Sequence, residues 1–517
     1  MTIPSINSLS SSAVSTTKLI REPLPTSSNN ITDTTTQTSP NTADIEITIG
    51  SNVANSDSVN ILGYELSGME KYQTSEVYFT YDHSSTNEDS FITSALESNL
   101  DNYVYFDYKS QLGGILSNIG SFLDSGLSSL EQTSSKTLFS NTAEGFEPSS
   151  NIERTIENTN RESGYETELT LTTKDGDTLT FNLALDYTSG SLAEQQGSFS
   201  SKNIHISMSL DGDLSDEEKE AIAAFAKQLD GQINNIMSGG IVDFSKLDIF
   251  ENDTIASVSV SSKAGLSEAY SLEITNTEEA RNISYDSKYL DLDIELDPFG
   301  LPTNATDQNE ALLGLLKTIE EGNDKAGDYR SHASALKKAV QSIFSNLPES
   351  NNFAPVAGGL LSGLPDFTID YSSKGPGENN RPTEYVGMEI SQNTLIDDNS
   401  NSYEIMQSYL YQLDYDNNNP LANKASRQDG EYISRTGHEE QTRVSHYEQK
   451  DGIVIDASIE KSATESSTER YIRYGSVVDS QTNVDSKSSV EDITEQAQQA
   501  LAENEMLVVE DLMEHLQ

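Results

Sequence analysis

The chain has no cysteine and no tryptophan. The first absence excludes structural disulfides, thiolate zinc sites, iron–sulfur clusters and thiol nucleophiles. Positive charge is scarce as well: 31 Lys and Arg stand against 84 Asp and Glu, a formal net charge of −53 over 517 residues. A surface of that sign repels phosphate backbones, so no nucleic-acid partner is expected. No apolar run approaches the roughly 18 residues that a membrane-spanning helix needs, so no transmembrane segment is expected. The opening residues Met1 to Asn7 lack a basic stretch followed by an apolar one, so no conventional signal peptide is read there. The chain is then either cytoplasmic or exported by a leaderless route.

Catalytic signatures are also missing. In Gly359-Leu360-Leu361-Ser362-Gly363 the serine stands one place late for a nucleophile elbow, and no Gly-Lys dipeptide offers a P-loop. His438-Glu439-Glu440 is followed by neither a second histidine at helical spacing nor a metal-ligand pattern, and the remaining histidines read as surface residues. With 84 carboxylates, no particular acid pair can be singled out for hydrolysis.

What is present is a polar chain with strong local periodicities. Residues 1–44 are dominated by Ser and Thr and read as a disordered leader. Residues 45–150 mix a strand at Glu76–Tyr81 with a helix over 112–130 carried by Leu112, Leu116, Ile119, Leu123, Leu127 and Leu130. From Leu169 the period becomes two, and Asp175-Gly176 between alternating runs predicts a hairpin. A third strand follows at Ile204–Leu210. Ser215 and Glu218 then form a capping box for a helix with its apolar stripe at Ile222, Phe225, Leu229, Ile233 and Ile236. With further strands up to Leu296, residues 151–300 read as an antiparallel sheet with a covering helix.

Residues 305–350 read as a helical pair broken near Gly322–Gly327, and residues 351–485 as a β-rich segment with turn-rich connectors, including a second Asp-Gly turn at Asp451-Gly452. Lys450-Asp451-Gly452 echoes Lys174-Asp175-Gly176, which suggests a duplicated hairpin. Residues 486–517 carry Val490, Ile493, Ala497, Leu501 and Leu512 at helical spacing. This C-terminal amphipathic helix must dock, either on its own fold or on a protein partner. The fold class expected from these elements is α+β: antiparallel sheet units with covering helices.

The run Leu171-Thr172-Thr173-Lys174-Asp175-Gly176-Asp177, followed by Leu210-Asp211-Gly212-Asp213-Leu214 and the acidic helix to Asp230, resembles a group of uncharacterised bacterial proteins. In that group a T-x-D-G-D strand pair precedes a D-G-x-L-capped helix. The resemblance covers about a quarter of the chain and implies a local fold; no activity, cofactor or functional residue comes with it.

Asp291, Asp293, Glu295 and Asp297 alternate with Leu290, Leu292, Ile294 and Leu296, which places four carboxylates along one face of a strand. A solvated face is the default expectation for such a row, and a calcium site the alternative. Asp211-x-Asp213-x-Ser215 and Asp414-x-Asp416-x-Asn418 begin like calcium loops, but Ile222 and Ala425 stand where the bidentate glutamate belongs. The second is better read as a solvated turn before Pro420. The functional expectation is a non-enzymatic surface, secreted or effector-like interaction protein. An acidic cation-dependent structural module and a hydrolase of unrecognised type are the alternatives.

Overall fold

A computed structural model describes residues 70–71, 78–85, 116–140, 156–192, 197–237, 240–264, 268–277, 279–298, 305–327, 330–347, 360–375, 384–399, 402–420 and 431–502. The leader 1–44 and residues 503–517, the far part of the expected C-terminal helix, lie outside them.

The two-residue periodicity at Leu169–Leu185 forms the expected hairpin. Strand β4 (Ile156–Thr173) meets β5 (Thr178–Leu192) antiparallel, with Leu171 opposite Leu179 and Thr172 opposite Thr178. Gly176 takes φ +97°, a conformation that Asp-Gly turns recruit because glycine has no Cβ to clash. The second Asp-Gly turn joins β14 (Tyr432–Lys450) to β15 (Ile453–Arg473) with Asp451 and Gly452 both at positive φ, as a type I′ hairpin demands. A third turn of this kind, Tyr474-Gly475, leads into β16 (Ser476–Asp492).

All of these strands belong to one antiparallel sheet. Among the described residues sixteen strands lie in the order β1-β2-β3-β6-β5-β4-β7-β8-β9-β10-β11-β12-β13-β14-β15-β16. The others are β1 (Glu70–Lys71), β2 (Tyr78–Ser85), β3 (Ser129–Ser140), β6 (Ser198–Asp211), β7 (Ile255–Ala264), β8 (Glu268–Asn276), β9 (Arg281–Asp286), β10 (Leu290–Leu296), β11 (Phe367–Lys374), β12 (Tyr385–Asn399) and β13 (Ser402–Pro420). Helices α1 (Ile119–Asp124), α2 (Asp216–Met237), α3 (Ala305–Ala326) and α4 (Arg330–Ile343) are excursions from this sheet.

This overturns the expected α+β arrangement of sheet units with covering helices: the fold is mostly β, built on a single sheet. The physical reason is long-range pairing. The helical pair α3–α4 separates β10 from β11 in sequence, yet Leu290 stands opposite Ser373 and Leu296 opposite Phe367, so the ladder continues straight across it. Periodicity reports each strand but not its neighbour.

Other expectations shift locally. The helix read over 112–130 is cut short: α1 ends at Asp124, Gly126 takes φ +71°, and Leu130 lies in β3. Asp414–Asn418 form no turn but sit inside β13, with Asn418 buried. Val490 belongs to β16, and the helix begins only after it, over residues 494–502. That helical segment docks on its own fold. Ile493 and Ala497 are buried with Val454, Ala457 and Ile459, and Gln498 Nε2 donates to the Val454 carbonyl at 2.8 Å.

Strand alternation splits the sheet into two faces. One carries Leu169, Leu171, Val258, Val260, Leu272, Ile274, Leu292, Ile294 and Ile390, which pack with Ile222, Phe225, Leu229 and Ile233 of α2 and Ile319, Leu336 and Val340 of α3 and α4 in one core. The capping box forms as read: Ser215 N–H donates to Glu218 Oε2 at 2.8 Å, and Glu218 N–H donates to Ser215 Oγ at 3.3 Å. Within this core Tyr285 donates its hydroxyl to the Gly240 carbonyl at 2.6 Å. Arg281 donates to the carbonyls of Ile343 and Asn346, closing the C-terminal end of α4 with a cation, where the helix dipole favours one.

Candidate functional sites

Beyond β13 the helical cover thins: β14 and β15 meet the Lys325 end of α3, which pairs with Glu439 and Glu465, and the segment 494–502, which packs on Val454 and Ala457. Where α3 leaves the sheet, sheet and helix enclose a groove with a cavity volume of about 850 Å³. Its construction follows from register. Phe367, Gln392, Tyr409, Arg443, Lys461 and Ser489 stand opposite one another in succession on β11 to β16, so a single cross-strand row forms the floor. Ala311 and Leu315 of α3, with Leu364 and Phe367, make its inner end apolar.

The outer end is cationic. Arg443 and Lys461 face each other across the β14–β15 ladder, and Lys487 of β16 lines the same groove. Arg443 donates from Nη2 to the Leu360 carbonyl at 3.0 Å, and its burial pulls the guanidinium below its usual range. Lys487 pairs with Asp485 at 2.8 Å. Midway, burial pushes the Tyr409 hydroxyl up to about 12, so it stays a neutral hydrogen-bonding group. Gln392 is 4% exposed; its Nε2 donates to the carbonyls of Leu364 and Pro365, while its Oε1 has no hydrogen-bond partner.

The opposite face of the sheet carries the acidic residues singled out by sequence. Asp291, Asp293 and Glu295 project outward from β10, whose leucines and isoleucine are buried. Asp297 lies just past the strand, its N–H donating to the Asp366 carbonyl at 3.0 Å. Register extends the row in a direction that periodicity does not report: Asp293 stands opposite Asp370 of β11, and Asp370 opposite Glu389 of β12. Partial burial raises the pKa of Asp291 and Asp293 above the usual carboxylate range, and the charges of Asp286, Asp370 and Glu295 add to it. Among the described residues no group of three or more His, Asp or Glu side chains converges as a metal-binding set.

The third feature is the end of the sheet. β16 has one neighbour among the described strands, β15, and every residue along its 17-residue length is exposed. Val477, Val478, Val484 and Val490 are solvent-facing, with Val484 71% exposed. The strand contains no proline or glycine and one basic residue, Lys487. The layer behind it is held by ladders and cross-strand pairs: Thr442–Ser462 at 2.9 Å, Thr468–Thr482 at 3.0 Å and Arg435–Glu469 at 2.8 Å.

Sequence reasoning named the acidic row but neither the groove nor the edge. The groove residues come from six strands and a helix, and only the pairing order unites them. The alternation of Val484 with polar residues was the available signal for β16, but Val490 also fits a helical spacing into residues 493–501. No helix among the described residues is long and apolar enough to cross a membrane. No protein-family model matches the chain, and no curated protein matches it.

Proposed function

We propose that the protein is a non-enzymatic interaction protein of the surface, secreted or effector-like kind, and that its working element is the edge strand β16. The observation that supports this is a long, exposed edge with no proline or glycine and a single lysine, whose irregularity against β15 is confined to Val478 near its start. Such an edge offers a continuous ladder of backbone donors and acceptors to an added strand.

The occupant that fits best is β16 of a second copy. An antiparallel pairing centred on Val484 sets Val484 against itself, Val478 against Val490, Ser480 against Ser488, Asp485 against Asn483 and Lys487 against Gln481. No like charges oppose each other in this register, and three of the four exposed valines, Val478, Val484 and Val490, meet valines, while Val477 faces Glu491. Such a contact is isologous and closes as a two-fold dimer. The net charge of −53 opposes association at long range, so added salt strengthens the dimer.

Sedimentation equilibrium of the full chain tests this. The expected result is a dimer whose population grows between low and physiological salt, and a monomer for Val484→Lys, which sets two lysines against each other at the two-fold axis without touching the core. A chain that stays monomeric at every concentration and salt overturns the reading, as does a dimer that V484K leaves intact.

A further inference from the structure

The groove at the end of α3 is independent of the edge-pairing reading, and its chemistry points to a small ligand. We infer that it binds a long-chain fatty acid, with the hydrocarbon tail lying along Phe367, Leu364, Leu315 and Ala311 and the carboxylate held between Arg443 and Lys461.

Two observations converge on this class. The first is charge placement. Lys and Arg are outnumbered in this chain by 84 to 31, yet two of them face each other on adjacent strands at the outer end of the groove. Like charges directly opposite across a ladder are unfavourable, and an anion seated between them reverses the sign of that interaction. A carboxylate suits the pair, since guanidinium donors match its two oxygens.

The second observation is polarity along the row. From Phe367 through Gln392 and Tyr409 to Arg443 and Lys461, side chains pass from apolar through neutral polar to cationic over five strands, about 19 Å at the spacing of paired strands. A small inorganic anion would use only the outer end. An extended single-chain amphiphile uses the whole length, and a volume of about 850 Å³ lies within the range of ligand sites.

The test uses the full chain and the fluorescent fatty acid cis-parinarate. Saturable binding at one site per chain is expected, displaced by palmitate and at least tenfold less well by methyl palmitate, which keeps the tail but loses the charge. Lys461→Gln, a change at an exposed residue that leaves the fold intact, and the double variant R443Q/K461Q should weaken palmitate progressively, by tenfold or more in the double variant. Methyl palmitate should bind these variants as it binds the parent. Absence of saturable binding, equal affinities for palmitate and its ester, or displacement of parinarate by inorganic phosphate at similar concentration would each overturn the assignment. So would palmitate affinity unchanged in R443Q/K461Q.

Discussion

Arg443 of β14 stands directly opposite Lys461 of β15 on the face of the sheet that lines the groove. Without an anion between them this juxtaposition costs stability, since like-charged cross-strand partners repel by a few tenths of a kcal/mol up to about 1 kcal/mol. Lys461→Gln should therefore raise the thermal midpoint of the unliganded chain at low ionic strength, and the gain should shrink as salt screens the pair. A midpoint lowered by the substitution would show that Lys461 is held by a stabilising partner instead.

The outer acidic row behaves in the same way with opposite sign. Asp293 faces Asp370 across the β10–β11 ladder, and its pKa is raised by burial and by neighbouring carboxylates. A carboxyl whose folded pKa is raised contributes stability that is complete below its unfolded value and is lost as pH climbs through the folded one. Asp293→Asn should thus stabilise the protein at pH 7 by roughly 0.2 to 1 kcal/mol and leave stability at about pH 3 unchanged. Urea unfolding at the two pH values measures this; equal effects at both would mean that repulsion is not the cause.

His446 provides the complementary case. It lies between Asp456, 2.7 Å from Nδ1, and Glu404, 3.0 Å from Nε2. Burial alone would lower its pKa, but the two hydrogen bonds and the two charges outweigh burial and the net shift is upward. A histidine raised in the folded state stabilises fully below its unfolded pKa of about 6.5 and loses that contribution as pH rises through the folded value. Thermal midpoints taken upward from about pH 6 should fall more steeply for the parent than for His446→Gln. Parallel profiles would contradict the assignment.

The capping box makes a simpler prediction. Ser215→Ala removes the acceptor for Glu218 N–H and a donor to its carboxylate, and should cost about 1 kcal/mol in denaturant unfolding. A loss below the error of the measurement would mean that α2 is held by its buried stripe alone.

These residues also mark what the sequence makes legible. Ser215, Glu218 and the stripe from Ile222 to Ile236 act within one helix, and Asp175-Gly176 and Asp451-Gly452 act within one turn; local chemistry decides them and periodicity reads them. Asp291, Asp293 and Glu295 were visible as the outward side of one strand. Their partners Asp370 and Glu389 were not, because the row crosses from β10 to β11 by pairing between segments more than seventy residues apart and from there on to β12. The groove fails to show for the same reason, amplified over six strands. The β14–β16 layer was underestimated because its strands alternate among Ser, Thr, Glu and Lys with few apolar residues, so they lack the buried face that makes strands recognisable. Val490 satisfied two periodicities at once, and the pairing with Glu460 decided between them.

The central claim is that β16 pairs with β16 of a second copy about Val484. Because the chain has no cysteine, Val484→Cys creates a single attachment point for a spin label, and directly opposed residues in an antiparallel pair have Cβ atoms only about 5 Å apart. The account predicts strong dipolar broadening of the labelled full-length protein at physiological salt, relieved by excess unlabelled chain. A spectrum of isolated spins at concentrations where the protein sediments as a dimer would place the contact elsewhere and contradict it.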